Sequence, residues 1–192
     1  MSRKCIYLIG SLRNPRIPEI ANALEKATGY EVFADWFTPG PEADDFLRDY
    51  VKARNPEGGV RAALQTYAAK HVFEFDKSHI DRSDAAVLVM PAGKSGHLEL
   101  GYVIGQGKPG FVLFDAEPER LDIMYQFATG LAMSIEELVP MLKEAVEKTV
   151  SVHVSVHNPK LPTSSSVSLS WDPKKEGYKI STCDHGGRPR SY

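Results

Sequence analysis

Cysteine is almost missing from this sequence: Cys5 and Cys183 are the only two in 192 residues. One lies in an apolar run and the other in a polar tail, so no disulfide framework is available and free thiols in a reducing cytoplasm are expected. No Cys/His spacing of the zinc type occurs. No apolar run approaches the roughly 20 residues that a bilayer-spanning helix needs, which excludes a transmembrane helix. The apolar part of Met1–Gly10 is short and runs on to Arg13, so it reads as a first strand rather than a signal peptide. Basic excess is lacking too: 23 Lys+Arg stand against 25 Asp+Glu, a net charge of −2 that argues against a nucleic-acid partner. Nor is there a P-loop or a dinucleotide fingerprint, because Gly93-Lys94-Ser95 lacks the preceding glycine spacing.

What charge there is lies unevenly. Residues 1–150 carry 17 Lys+Arg against 22 Asp+Glu, and residues 151–192 carry 6 against 3. The style of the sequence changes at the same place. Up to residue 149, short apolar runs alternate with stretches of helical period, which predicts one α/β domain with a parallel sheet. From 150 to 192, Val150, Val152, Val154 and Val156 alternate with polar residues, as do Val167, Leu169 and Trp171. This tail reads as a β-hairpin or meander with a loose basic end at Gly186–Arg190.

In the first part, Lys4–Ile9, Glu31–Ala34, Ala85–Met90, Gly110–Phe114 and Phe127–Leu131 are the expected strands. A helix is expected after Pro18, with Ile20, Ala21, Leu24 and Ala27 on its apolar face and Gly29 as its stop. A short helix over 42–53 should point Phe46, Leu47, Tyr50 and Val51 inward. A long one from Val60 to Ile80 should do the same with Leu64, Tyr67, His71 and Phe75, leaving Asp76 close to that stripe. Ser134-Ile135-Glu136-Glu137 is a capping-box pattern that opens a last helix. Five strands alternating with helices give a doubly wound, flavodoxin-like sheet of order 2-1-3-4-5.

Ligands of such sheets bind beyond the carboxyl ends of the strands where strand order reverses, here between strands one and three. That brings the loop Gly10-Ser11-Leu12-Arg13 beside the loop Pro91–Gly96. The first offers Gly10, Ser11 and Arg13; the second offers Gly93, Ser95, Gly96 and a helix N-terminus, together a phosphate or ribose cradle. Trp36 and Phe37 come directly after the second strand. Glu99 follows within the first turns of the next helix, where the macrodipole favours its ionised form. An ionised carboxylate there can act as a nucleophile or merely complement the dipole. Gly101 and Gly105, four apart, are read as sites of close helix–sheet packing.

Several of these positions coincide in one known pattern. Ile6-Tyr7-Leu8-Ile9-Gly10-Ser11-Leu12-Arg13, Asp76 ahead of Ile80-x-x-Ser83-Asp84-Ala85, and Gly96-His97-Leu98-Glu99-Leu100-Gly101-Tyr102 with Gly107-Lys108-Pro109 occur in this order. Over residues 4 to about 140 the chain resembles the nucleoside 2-deoxyribosyltransferases and the related deoxynucleoside 5′-monophosphate N-hydrolases. The resemblance implies an enzyme that cleaves an N-glycosidic bond, with Glu99 as nucleophile at the anomeric carbon. Tyr7 would position that glutamate, Asp76 would assist protonation of the leaving base, and Trp36 or Phe37 could stack on that base or equally serve the core. It also implies a deoxynucleoside or deoxynucleotide substrate, no metal or organic cofactor, and a homo-oligomer in which a neighbouring subunit helps to close the site.

Ser11 and Arg13 resemble the pair that holds a 5′-phosphate in the hydrolases, and Ser95 could add a hydroxyl. The transferases carry a second acid shortly before the nucleophile, whereas Pro91–Leu98 contains none. Base transfer and hydrolysis therefore both stay open, and so does a nucleotide-binding or sensing module without turnover. A third possibility, cleavage of NAD-type ribosides, has no motif beyond Glu99.

Overall fold

The computed structural model describes residues 3–40, 42–54, 59–114, 117–118, 122–148, 166–172, 177–183 and 189–190. The chain divides into two compact units, Met1–Val150 and Ser151–Tyr192.

In the first unit five strands lie parallel: β1 (Cys5–Ile9), β2 (Glu31–Phe33), β3 (Ala85–Val89), β4 (Gly110–Leu113) and β5 (Gly130–Ala132). Their order is β2-β1-β3-β4-β5, the expected doubly wound, flavodoxin-like arrangement. The helices are α1 (Ile17–Thr28), α2 (Glu42–Arg54), α3 (Gly59–Ala63), α4 (Tyr67–Arg82), α5 (Lys94–Gly105) and α6 (Ile135–Lys148). β1, β3 and β4 are buried on both faces, which is why they read as unbroken apolar runs.

Alternation along each strand sorts the side chains between two cores. Ile6, Leu8, Val87, Phe111 and Leu113 meet Ile17, Ile20 and Leu24 of α1 and Leu138, Leu142 and Val146 of α6. Cys5, Tyr7, Ile9, Ala86, Leu88 and Val112 face the other way, toward Ile80 of α4 and Leu100 and Val103 of α5. Each large aliphatic side chain so buried contributes roughly 1.5–3 kcal/mol.

The ends of α1 and α6 follow their sequence signals. Gly29 stops α1 in the left-handed region at φ 78°, its N–H donating to the Glu25 carbonyl. The Glu137 N–H donates to the Ser134 hydroxyl at 3.3 Å, and the Glu137 carboxylate accepts from the Met133 N–H at 2.8 Å. Strand bounds shift slightly: β2 ends at Phe33, and β5 starts at Gly130 after a 3-10 turn over Ile123–Phe127.

Two packing expectations are corrected. The close approach of α5 to the sheet lies at Gly96 and Gly110, not at Gly101 and Gly105. A Cβ on Gly96 would stand 3.0 Å from both Ile9 and Leu88, and one on Gly110 would stand 2.8 Å from Ile104. A Cβ on Gly101 or Gly105 would meet nothing within 4 Å beyond its own helix. The single helix expected from Val60 to Ile80 is broken at Thr66, whose hydroxyl accepts from the Ala69 N–H and caps α4.

The inward stripe of α4 is also rotated from the expected one. Asp76, His79 and Ile80 turn toward the sheet, while Val60, Leu64, Tyr67, Val72, Phe73 and Phe75 are exposed. Phe46 of α2 is exposed as well; Leu47, Tyr50 and Val51 lie outside the described side chains.

The lower end of α4 is pinned by residues that belong to the sequence motifs. The Ser83 hydroxyl donates to the Ile80 carbonyl at 2.7 Å. The Lys108 ammonium donates to the Ile80 and Asp81 carbonyls at 3.1 and 2.7 Å, where the helix dipole also favours a cation. The Asp84 carboxylate accepts from the Cys5 N–H and the Lys4 ammonium, at 2.9 and 2.8 Å, at the start of β1.

In the second unit β6 (Ser166–Asp172) pairs antiparallel with β7 (Gly177–Cys183). Pro189–Arg190, expected to trail loosely, forms a short edge strand β8 on β7, a place where proline's missing N–H is tolerated. The alternating Val150–Val156 stretch lies outside the described residues.

Candidate active site

Three residues from three elements converge on the α4–α5 side of the sheet. Tyr7, 1% exposed, projects from β1 and stacks its ring on Phe33 with centroids 5.6 Å apart. Phe33 in turn stacks on His79 of α4 at 3.8 Å and meets Phe75 at 6.0 Å. The Arg82 guanidinium stands over the Phe33 ring and pairs with Glu31 at 2.6 Å. This column holds α4 against the edge of β2 and holds the Tyr7 ring in one orientation.

Glu99 lies in the second turn of α5. Gly96, Leu100 and Val103 turn toward the sheet, so Glu99 and Tyr102 fall on the flank facing α4. Across that seam the Asp81 carboxylate accepts from the Tyr102 hydroxyl at 2.9 Å and from the Gln106 amide at 2.7 Å. Lys77 completes the clasp, and these donors pull the Asp81 carboxyl down to about 2. One turn above it on α4 stands Asp76, half-buried like Glu99.

The electrostatics show that the three groups share one environment. Burial, and after it the Asp76 charge, pushes the Glu99 carboxyl up to about 7. Burial alone pushes Asp76 up to about 6. The Tyr7 hydroxyl is raised by burial first and then by the charges of Glu99 and Asp76, so it stays protonated as a donor. The expectation that the α5 dipole keeps Glu99 ionised is corrected here. Glu99 is the sixth residue of α5, past the first turn to which the dipole's effect is confined, and desolvation wins.

The two loops expected to cradle a substrate are placed as the topology requires, after β1 and β3. Ser11 accepts from the Arg13 N–H at 3.2 Å, which closes a tight turn. The Arg13 guanidinium reaches Asp45 of α2 at 3.2 Å, and Asp45 also takes Arg48 at 2.9 Å. Gly10 leaves room for α1: a Cβ there would lie 2.4 Å from the Ile17 side chain. Gly93 and Ser95 are exposed at the start of α5, whereas Gly96 is buried under it. Trp36 donates its indole N–H to the Leu8 carbonyl at 2.7 Å and packs against both cores, so its polar edge is committed to the end of β1.

Neither a family model nor a curated protein matches this chain. Among solved structures it is similar to a 2-deoxyribosyltransferase from Bacillus psychrosaccharolyticus, at 17% identity and a TM-score of 0.47. The match covers 70% of this chain and 90% of that one.

His97, a motif position with no role assigned to it by the sequence, meets Tyr125, which no motif includes. The His97 ring bonds through Nδ1 to the Gly93 carbonyl at 2.8 Å and through Nε2 to the Tyr125 hydroxyl at 3.2 Å. The four-residue spacing of Gly93 and His97 is a helical turn and was visible. The partner 28 positions further on carried no signal. Among the described residues no group of three or more His, Cys, Asp or Glu side chains is arranged to hold a metal ion, and no helix is long and apolar enough to cross a membrane.

A carboxyl whose pKa is higher folded than unfolded binds its proton more tightly in the native state. Its contribution to stability is present below the unfolded value near 4.5 and is lost as pH rises through about 7. Glu99→Gln, neutral at every pH, is therefore expected to exceed the wild type at pH 8 by on the order of 2 kcal/mol and to match it near pH 4. Urea melts at the two pH values measure the difference, and an equal gap at both would show that burial does not perturb this carboxyl.

Proposed function

We propose that this chain is an enzyme that cleaves the N-glycosidic bond of a 2′-deoxynucleoside or its 5′-monophosphate, with Glu99 as nucleophile. The observation that carries the reading is the pairing of Glu99 with Asp76 beside Tyr7, at positions that also match the three motifs of the sequence. A pair of carboxyl groups with raised affinity for a proton is the equipment of a glycosyl transfer, in which one group attacks and the other protonates. A Glu99 oxygen attacks C1′ as the C1′–N bond breaks. Its electron pair leaves with the base, which takes the proton of Asp76.

The resulting glycosyl ester of Glu99 is opened at C1′ by water or by a second base, whose proton returns to the Asp76 carboxylate. Two displacements at one carbon give net retention. The Tyr7 hydroxyl, kept protonated, is the donor that orients the Glu99 carboxylate.

The chemistry needs one proton shared by the pair and lodged on Asp76. In the free protein burial raises both carboxyls, so the pair holds a proton further toward neutral pH than free carboxyls do. Groups that interact in this way titrate as a pair, and activity follows the singly protonated form.

A second reading, hydrolysis of a 5′-monophosphate with water as acceptor, is favoured by the loop after β3, which holds no second acid to read an incoming base. It is also favoured by Ser11 and Arg13 beside the same crevice. In this reading a phosphate displaces Asp45 from Arg13. The exposed apolar face of α3 and α4, with Tyr67 84% and Phe73 60% exposed, supports a homo-oligomer in which a second copy covers the flank that carries Asp76.

Incubation with deoxynucleosides or their monophosphates, with and without an acceptor base, is expected to release free base, read by HPLC. Glu99→Ala abolishes release and preserves binding, and wild-type release by that variant would remove Glu99 from the nucleophile's role. The rate should peak between about pH 6 and 7. Asp76→Asn is expected to lower kcat by roughly 10²–10⁴ and to erase the alkaline limb. If nucleotides bind but no substrate is cleaved by the wild type, the chain is a sensing module.

Asp45→Ala removes one acidic partner of Arg13 and should tighten KM for monophosphates several-fold with no change for nucleosides; an equal effect on both would exclude Arg13 from phosphate binding. Phe73→Glu should convert the oligomer to a monomer in sedimentation velocity, and a wild type that already sediments as a monomer rules out the covered face.

A further inference from the structure

We propose that His97 and Tyr125 form a latch that holds the loop before α5 in its binding geometry, making both of them positioning residues of the site. The inference rests on the reading that this loop, ending at Gly93, and the first turn of α5 to Gly96 receive the sugar or phosphate of the substrate. It adds a segment, the 3-10 turn Ile123–Phe127 ahead of β5, that none of the motifs includes.

The chemistry of the two bonds fixes their direction. A carbonyl oxygen only accepts, so the 2.8 Å contact between the Gly93 oxygen and Nδ1 requires the proton on Nδ1. Neutral imidazole then has a lone pair on Nε2, which accepts the Tyr125 hydroxyl at 3.2 Å. The Tyr125 ring is itself anchored. It stands edge-on to Phe114, just past the end of β4, with centroids 5.5 Å apart, and its hydroxyl lies 3.9 Å from the sulfur of Met90, at the end of β3.

The turn is closed from its own side by Asp122, whose carboxylate accepts from the Met124 N–H at 2.9 Å. A chain of contacts thus runs from the carboxyl ends of β3 and β4, through Tyr125 and His97, to the residue that caps α5. Gly93 has no side chain to cap that helix itself, and its backbone is extended at φ −81°, ψ −176°. The His97 ring performs part of that anchoring by holding the Gly93 carbonyl from one turn inside the helix.

Because the latch acts on the loop and not on the reacting atoms, its loss should affect ground-state and transition-state binding alike. Tyr125→Phe keeps the ring on Phe114 and removes only the hydroxyl. His97→Asn keeps a donor near the Nδ1 position and removes the acceptor. Each is expected to raise KM about 3- to 10-fold with kcat within about twofold of wild type. The double variant should be no worse than either single one, since both remove the same bond. In the free protein, 15N spectra of the imidazole should show the Nδ1–H tautomer. Amide hydrogen exchange at Gly96 and His97 should quicken in Tyr125→Phe at unchanged melting temperature.

An Nε2–H tautomer, additive effects in the double variant, or unchanged exchange in Tyr125→Phe would each overturn the latch. Absence of base release by the wild type alongside the expected tautomer and exchange contrast would instead overturn the functional reading and leave the latch standing. Normal release without that contrast does the reverse.

Discussion

Asp76 and Glu99 carry like charge, they sit on neighbouring helices, and burial raises both, with no cation among the described residues offsetting either. Such a pair costs stability whenever both groups ionise, so the helices that present them must be held together by other means. The rest of the α4–α5 side of the sheet is a set of answers to that requirement. The Asp81 clasp ties the helices to each other one turn below the pair. The column Tyr7–Phe33–His79 ties α4 to the sheet edge, and Gly96 and Gly110 let α5 settle against the strands. On the opposite face α1 and α6 pack by aliphatic contact and bear no comparable burden.

Much of this was legible in the residues because it depends on local signals. Unbroken apolar runs of four to six residues gave β1, β3 and β4 within a residue. The Gly29 stop and the Ser134 capping box marked real helix ends. Strand order followed from the alternation of strands and helices. What failed was the inference from apolarity to burial along α3 and α4. Leu64, Tyr67 and Val72 are apolar at helical spacing, yet they point to solvent, while the inward positions include Asp76, His79 and Ser83. Periodicity reports which face is apolar, and an apolar face can belong to a surface beyond the chain's own core.

The site was legible in part for the same reason. Glu99 stood out as a carboxylate just after a Gly-rich turn at a sheet's carboxyl edge, and Asp76 and Tyr7 entered through the motifs. Their protonation was not legible, because desolvation is a property of the packed surroundings rather than of helix position. His97 and Tyr125 escaped because a hydrogen bond between residues 28 apart leaves no periodic trace. The intended division of labour among glycines was reversed too. Spacing pointed to Gly101 and Gly105, but the sheet beneath α5 decides which glycine is crowded, and it crowds Gly96 and Gly110.

Lys108 gives the motifs a different meaning from the one their recurrence suggests. Its ammonium closes the end of α4, just as Ser83 and Asp84 secure the joint between that helix and the sheet. A chain of this fold with no turnover at all would use these three residues as much as an active one, since they secure the seam between α4 and the sheet. Their presence in a sequence is thus a statement about architecture. The proposed chemistry rests on the far smaller set of Tyr7, Asp76 and Glu99, and a search that weighs all motif positions alike reads the frame of the fold together with its candidate site.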